Sequence, residues 1–256
     1  MNKTKFLMLA LAGALLLPGC GGKGKGSKDT AALADTLQVP DTGYTGIKQY
    51  FSGDRLLKEI TFKNGIRHGE TKTYYQGGQL YQTFWYENGL REDSARWYYP
   101  GGQVFRSTPY NRDTIDGIQQ QYYRTGRIKA RIGFIKGLRT PYIEEFTSTG
   151  RKMTDYPDIV YNITDNYASS GKVRITLELS NKSERVRFYR GGFSGGVFDT
   201  SKYVLINTVD GKGIIDLRKN GSSQTGKVIV IAEAITDFGN KYLTQVEIDL
   251  PYGDLR

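Results

Sequence analysis

Apolar and polar positions in the middle of the chain repeat with a period of 24 residues. Aromatic and aliphatic residues return at fixed places, so that whole columns hold one residue class. The clearest columns are Tyr50, Tyr74, Tyr98, Tyr122 and Phe146; Phe51, Tyr75, Tyr99 and Tyr123; Leu56, Leu80, Val104 and Ile128; and Phe62, Tyr86, Tyr110 and Phe134. This is the pattern of a repeat array in which each unit packs on its neighbours.

Each repeat is predicted to contain two strands and two tight turns. Side chains alternate between apolar and polar along the strand segments, as they do when one face of a sheet is buried. Gly78 and its equivalents supply the positive φ that one turn needs, and Asn88-Gly89 is a strong signal for a two-residue hairpin. Residues 47–154 are therefore predicted to form an elongated antiparallel sheet of 24-residue hairpin repeats.

A different β pattern begins after residue 154. Six short alternating runs, separated by Gly, Asn, Ser and Asp clusters, occupy residues 155–256 with no helical period. Runs of this length and number favour a β-sandwich. The chain as a whole is therefore expected to be all-β.

The amino terminus has the features of an export signal. The apolar run at 6–17 follows Lys3 and Lys5, and it is shorter than the roughly 20 residues needed to span a bilayer. It ends in Leu17-Pro18-Gly19-Cys20, which resembles the lipobox of bacterial lipoproteins. That resemblance implies a signal peptide over 1–19 and lipidation of Cys20; an ordinary signal with a chance cysteine is the alternative.

The lipobox resemblance also bears on location. Gly21 follows the cysteine, where many lipoproteins of the inner membrane carry aspartate, so a lipid-anchored protein of the outer membrane is expected. Residues 20–46 are rich in Gly, Lys, Ser, Asp and Thr, a composition that predicts a flexible tether.

Two further resemblances concern the folded parts. The order aromatic pair, glycine, apolar residue and then aromatic-x-Asn-Gly resembles the MORN-repeat variant of bacterial proteins, and residues 65–70 match its Gly-x-x-x-Gly-Glu linker. Some of those proteins are antitoxins, but a signal and lipobox would keep this chain away from a cytoplasmic toxin. Residues 232–240 resemble the Ala-x-Ala-x-Asp-x-x-Gly-Asn corner of bacterial immunoglobulin-like domains, which implies an immunoglobulin-like sandwich.

Few residues in the chain can carry catalysis or bind a metal. Cys20 is the only cysteine and His68 the only histidine, so a His/Cys zinc site cannot be assembled. A Ser-His-Asp triad could form only around His68, which is predicted to be a solvated turn residue. The adjacent acids Glu144 and Glu145 would point to opposite faces of a strand. No catalytic residue, metal or cofactor is predicted.

Positive charge is concentrated in the repeats. Residues 45–154 hold 18 Lys and Arg against 10 Asp and Glu, whereas residues 155–256 hold 13 of each. Alternation places Arg127, Lys129 and Arg131 on one strand face, where they would form an anion-binding row about 13 Å long; a solvated, solubilising edge is the alternative. Arg106 has the parity of the apolar face and is expected near an edge of the sheet.

Three aromatic residues complete the candidate binding surface. If Tyr81, Trp85 and Phe105 are exposed, they offer flat stacking surfaces for sugars or peptides; packing against a neighbouring strand is the alternative. We therefore expect a non-catalytic envelope lipoprotein that binds or scaffolds protein, glycan such as lipopolysaccharide, or anionic lipid, and not nucleic acid. An envelope hydrolase with a carboxylate pair assembled by the fold is the alternative.

Overall fold

The computed structural model describes residues 43–220 and 226–256, and this part of the chain is almost entirely β. The signal peptide, Cys20 and most of the predicted tether lie outside the described residues. The first ten strands are β1 (Gly46–Ser52), β2 (Arg55–Lys63), β3 (Ile66–Tyr74), β4 (Leu80–Glu87), β5 (Leu90–Tyr98), β6 (Val104–Asn111), β7 (Thr114–Ile115), β8 (Gly117–Tyr122), β9 (Ile128–Ile135) and β10 (Leu138–Glu145).

These ten strands form one long antiparallel sheet, which confirms the all-β prediction and the elongated sheet. Its order is β1-β2-β3-β4-β5-β6-β8-β9-β10, with β7 paired to β6. The two-residue turns recur every 24 residues, and both residues of each turn have positive φ, as a tight hairpin requires. The turn pairs are Asn64-Gly65, Asn88-Gly89, Arg112-Asp113 and Lys136-Gly137.

The second turn of each repeat is held by the aromatic columns. The N–H of Gly102 donates to the carbonyl of Tyr99 at 2.8 Å, and Gly78 and Gly126 repeat this bond with Tyr75 and Tyr123. The hydroxyl of each tyrosine then donates to a main-chain carbonyl of the next repeat. These bonds join Tyr75 to Tyr98 at 2.6 Å, Tyr99 to Tyr122 at 2.8 Å and Tyr123 to Phe146 at 2.7 Å.

A β-bulge interrupts the alternation at one equivalent place in each repeat, and a second register shift lies in the pairings β2–β3, β4–β5 and β9–β10. Between β5 and β6, Trp97 pairs with Arg106 and Tyr98 pairs with Val104, so Phe105 is left without a partner. The same shift recurs at the three equivalent positions, which are Leu57, Tyr81 and Lys129. A bulge bends the strand and redirects side chains, so simple alternation does not assign these residues to a face.

The remaining strands form two four-stranded antiparallel sheets. Their strands are β11 (Ile159–Asn166), β12 (Lys172–Leu179), β13 (Val186–Arg190), β14 (Val204–Ile206), β15 (Thr208–Val209), β16 (Lys212–Arg218), β17 (Lys227–Ile235) and β18 (Lys241–Asp249). One sheet has the order β11-β12-β16-β15 and the other β14-β13-β17-β18. Both contribute to one buried core that includes Ile175, Phe188 and Val230.

Helical structure is limited to two short segments in the described ranges. They are α1 (Tyr167–Ser170) and a 3-10 helix (Thr200–Lys202). Neither of these helices has the length or apolar character needed to cross a bilayer.

The last repeat is completed by a residue from the connection between β13 and β14. Within the repeats, the turn of each hairpin donates a main-chain hydrogen bond to the preceding hairpin, for example from Gly89 to the carbonyl of Arg67 at 2.8 Å. No repeat follows β10, and the N–H of Phe198 instead donates to the carbonyl of Arg139 at 2.7 Å. The connection between β13 and β14 therefore satisfies a backbone acceptor that the repeat array leaves open.

Candidate functional site

Arginine and aromatic side chains are paired across strands on one face of the long sheet. Directly opposite neighbours on paired strands share a face. The pairs are Phe62 with Arg67, Tyr86 with Arg91, Tyr110 with Ile115, and Phe134 with Arg139. We call these eight residues the arginine–aromatic row. Three of its four hairpins carry arginine at the same place, so the row has the period of the repeat.

The arginines of this row stack on aromatic rings. The guanidinium carbon of Arg91 lies 4.5 Å from the ring centroid of Tyr110, and that of Arg67 lies 5.6 Å from Tyr86. Arg139 is 6.0 Å from Phe134. These distances fit cation–π attraction, which holds the charge over the ring.

The charges in the row are not all compensated. Arg91 bonds to Asp113 at 2.8 Å. Partial burial opposes ionisation of Asp113, but hydrogen bonds from Arg91 outweigh it and lower the pKa of that carboxyl. Neither Arg67 nor Arg139 forms an ion pair with a carboxylate in residues 43–220 and 226–256; Arg139 donates to the carbonyl of Lys241 at 2.5 Å. The row therefore carries net positive charge.

A second line of side chains crosses the same face in the middle of the sheet. Gln82, Trp97, Arg106 and Gln121 pair in that order on four adjacent strands, and we call them the central row. Phe84 connects the two rows, because its ring centroid is 5.5 Å from that of Trp97 and 5.9 Å from the guanidinium of Arg91.

Arg106 is the cation of the central row. Its guanidinium carbon lies 4.1 Å from the Trp97 ring and 5.7 Å from the Phe105 ring. Burial lowers the pKa of Arg106. The prediction that this residue lies near a sheet edge is wrong, because β6 pairs with β5 on one side and β8 on the other. Alternation along a strand assigns a residue to a face, but it does not show how many strands lie beside β6.

The three predicted aromatic residues have different environments. Tyr81 and Phe105 are bulge residues that are partly buried against neighbouring aromatics; their rings lie 4.9 Å from Tyr75 and 5.5 Å from Tyr99, respectively. Trp85 is 48% exposed. Of the three, only Trp85 therefore presents a largely open ring to solvent.

The predicted basic row is partly neutralised. Arg131 bonds to Glu144 at 2.9 Å, and Lys152 bonds to the same carboxyl at 2.6 Å. Hydrogen bonds from Lys152 and then Arg131 lower the pKa of Glu144 to about 2, so it is ionised at neutral pH. Lys129 is a bulge residue, and Arg127 donates to the carbonyl of Ser148 at 3.1 Å. These residues therefore do not form a line of three free cations.

A cleft of about 150 Å³ lies where the last repeat meets the C-terminal sheets. Its wall includes Glu145, which is 1% exposed and accepts hydrogen bonds from Thr236 at 2.8 Å and Asn240 at 2.7 Å. The amide oxygen of Asn240 accepts from Gln121 at 2.9 Å. The segment interpreted from sequence as a domain corner thus also binds the repeat sheet, a contact between residues more than 90 positions apart that no local pattern indicates.

The titratable groups give little support to catalysis. Glu233, the other buried carboxylate of the described residues, bonds to Lys241 at 2.7 Å, so it and Glu145 have separate donors. His68 lies within β3 and is partly buried, and its Nδ1 has no hydrogen-bond partner in the described residues. The prediction of a solvated turn residue is therefore wrong, since the strand begins at Ile66. In the described ranges, no three His, Cys, Asp or Glu side chains cluster as metal ligands.

No protein-family model matches the chain, and no curated protein matches it significantly.

Proposed function

We propose that this protein is a non-catalytic, lipid-anchored envelope protein whose long sheet binds an anionic glycan. The observation that carries the proposal is the face formed by the arginine–aromatic and central rows. It holds four arginines, and only Arg91 is ion-paired to a carboxylate in the described residues. A guanidinium fork stacked on a ring is preorganised to bind carboxylate or phosphate in bidentate fashion.

The repeating geometry favours an extended partner over a compact one. Arginines occupy equivalent places in three of the four hairpins, so positive charge extends along the sheet, which suits a polymer with repeated negative groups. Acidic polysaccharide and lipopolysaccharide have that chemistry, and both occur in the envelope to which a lipoprotein would be exported.

The same proposal includes the anchor and the two folds suggested by resemblance. The Leu-Pro-Gly-Cys sequence ending at Cys20 supports lipidation. The 24-residue hairpin supports a MORN-variant sheet, and the two sheets with one core, together with residues 232–240, support an immunoglobulin-like sandwich.

Changing Cys20→Ala is expected to move the protein from the membrane fraction to the soluble fraction. Acyl chains contribute about 0.8 kcal/mol per buried CH₂, and the substitution removes the only sulfur that could carry them. The measurement is fractionation of cells that express either form, with Gly22→Ala as a control that keeps the cysteine. Equal membrane retention of the Cys20→Ala protein would contradict the lipid anchor.

The binding face is tested by reversing one charge on each side of the sheet. Arg67→Glu alters the arginine–aromatic row, whereas Arg96→Glu makes the same change of net charge next to Trp97 on the opposite face. We expect Arg67→Glu to weaken binding of the full chain, in detergent, to lipopolysaccharide about tenfold or more, because hydrogen bonds to charged groups contribute about 1.5–3 kcal/mol. Arg96→Glu should change the affinity by less than about threefold, since screened, exposed charges act weakly.

Surface plasmon resonance at low and physiological salt measures both variants. If the two substitutions weaken binding equally, only overall charge matters and the face is not a site. If the wild-type chain binds neither lipopolysaccharide nor an acidic polysaccharide at low salt, the proposed function is wrong.

A further inference from the structure

Arg106 is a partly buried cation of the sheet, and no carboxylate acts on it. In residues 43–220 and 226–256, its guanidinium forms neither an ion pair nor a hydrogen bond, and its Nε atom is buried without a partner. Trp97 lies beneath it and is 9% exposed. A guanidinium has five N–H donors, so this group has capacity for a ligand.

The neighbours of Arg106 are suited to a polar, negatively charged group. Its partners across the strands are Trp97 and Gln121, and Gln82 follows beyond Trp97 in the central row. The ionisable side chains that act on it are Tyr110 and Tyr81, which offer hydroxyl groups and no carboxylate. The amide nitrogens of Gln121 and Gln82 already donate to Asn240 and Thr73, so an incoming oxyanion would meet polar neighbours and one unsatisfied guanidinium.

Energetics favour an anion over water at this place. Removing a cation from water is costly unless an opposite charge compensates it. Partial burial strengthens any attraction that Arg106 makes, because the local dielectric is lower than in solvent. No ion pair occupies the planar guanidinium, so its terminal N–H donors stay available for a two-oxygen group.

We propose that Arg106 is the centre of an oxyanion-binding site that receives the carboxylate or phosphate group of a sugar. The site rests on the proposed function, since it would bind one negative group of the glycan while the arginine–aromatic row binds others. It also goes beyond that function, because it predicts that a single acidic sugar binds at one defined position.

Trp97 provides a direct signal for this site. The chain has two tryptophans, so Trp85→Phe leaves Trp97, 4.1 Å from the guanidinium, as the only one. In the full chain carrying Trp85→Phe, held in detergent, we expect glucuronate or glucose 1-phosphate to change the Trp97 fluorescence with saturation, and glucose to leave it unchanged. Added salt should weaken the fluorescence response to the two anions.

Substitutions at position 106 separate charge from geometry. Arg106→Gln should lower the affinity for the anion about tenfold or more. The affinity of the Arg106→Lys chain should lie between those of the wild type and the Arg106→Gln chain, because lysine keeps the charge but loses the planar group that binds two oxygens. Arg96→Gln, which removes one charge from β5 on the opposite face, should stay within about twofold. Thermal melts of each variant establish that it is folded; if Arg106→Gln does not fold, the comparison of Arg106→Lys with Arg96→Gln decides.

Each outcome has a defined meaning. Binding of either anion that Arg106→Gln abolishes supports the site, and the anion that binds more tightly identifies its source as uronate or phosphate. No fluorescence response to either anion up to about 10 mM, a range that would reveal even a weak site, overturns it, as does undiminished affinity of the Arg106→Gln chain. Lipopolysaccharide binding that persists in such a case leaves the proposed function intact, so the two failures are distinguishable.

Discussion

Replacing Asn240 with aspartate is expected to destabilise the protein at neutral pH by about 3–5 kcal/mol, the cost of an uncompensated buried charge. Asn240 is 8% exposed, and its amide nitrogen donates to the carboxylate of Glu145 at 2.7 Å. Asn240→Asp removes that donor and places a second carboxyl beside the first. The amide of Gln121, which donates to Asn240, does not compensate the added charge.

The loss should depend on pH in a defined direction. Burial and a like charge both raise the pKa of the introduced carboxyl above the value of about 3.9 for an unfolded aspartate. The penalty is therefore absent below that unfolded value and grows as the pH rises through the folded one. The wild-type protein behaves in the opposite way, because the lowered pKa of Glu144 and of Asp113 makes their stabilisation disappear as the pH falls.

Urea denaturation of both chains at several pH values measures the difference. The free energy of unfolding of the Asn240→Asp chain should approach the wild-type value towards pH 4 and separate from it above pH 6. Asn240→Ala should cost about 1.5–3 kcal/mol with little pH dependence, since it removes hydrogen bonds and adds no charge. Asn162→Asp, at an exposed position of β11, is the control for the charge itself; a penalty equal to that of Asn240→Asp would contradict the buried contact.

Local sequence signals were sufficient for the outline of the long sheet. Asn88-Gly89 indicates a two-residue turn because both residues tolerate positive φ, and the structure places that turn in every repeat, including Arg112-Asp113. The sequence shows the repeated column that contains Tyr99, but it does not show what the Tyr99 side chain contacts. Its hydroxyl bonds to the next repeat, and only the stacking of hairpins brings that carbonyl within reach.

The candidate site was harder to predict because bulges and distant contacts decide it. Strict alternation assigned Lys129 to a face with Arg131, yet the extra residue at each bulge breaks that rule. Nothing near Arg131 in sequence indicated Glu144 as its partner on the adjacent strand. The arginines of the arginine–aromatic row are visible in the sequence, since Arg67, Arg91 and Arg139 occupy equivalent repeat positions, but Ile115 interrupts their column and their stacking on rings depends on strand pairing.

Replacing each of the two tryptophans with alanine is expected to have very different effects on the free energy of unfolding. Trp97 is 9% exposed and packs edge-on against Phe84 at 5.5 Å, whereas Trp85 is 48% exposed on the other face of the sheet. Trp97→Ala removes a buried aromatic and should cost about 3–5 kcal/mol. Trp85→Ala removes a side chain that is already half in solvent, so its cost should stay below about 1 kcal/mol.

Thermal melting and limited proteolysis of the two variants measure this contrast, and each residue is the natural control for the other. Loss of Trp97 also removes the ring that holds the Arg106 guanidinium in place, so binding of acidic sugar should fall even where the Trp97→Ala chain remains folded at low temperature. Trp97→Phe, which keeps a ring over which the cation can stack, should restore most of the stability and part of the binding. Equal destabilisation by Trp85→Ala and Trp97→Ala would contradict the exposure of Trp85 and mean that its face of the sheet is covered in solution.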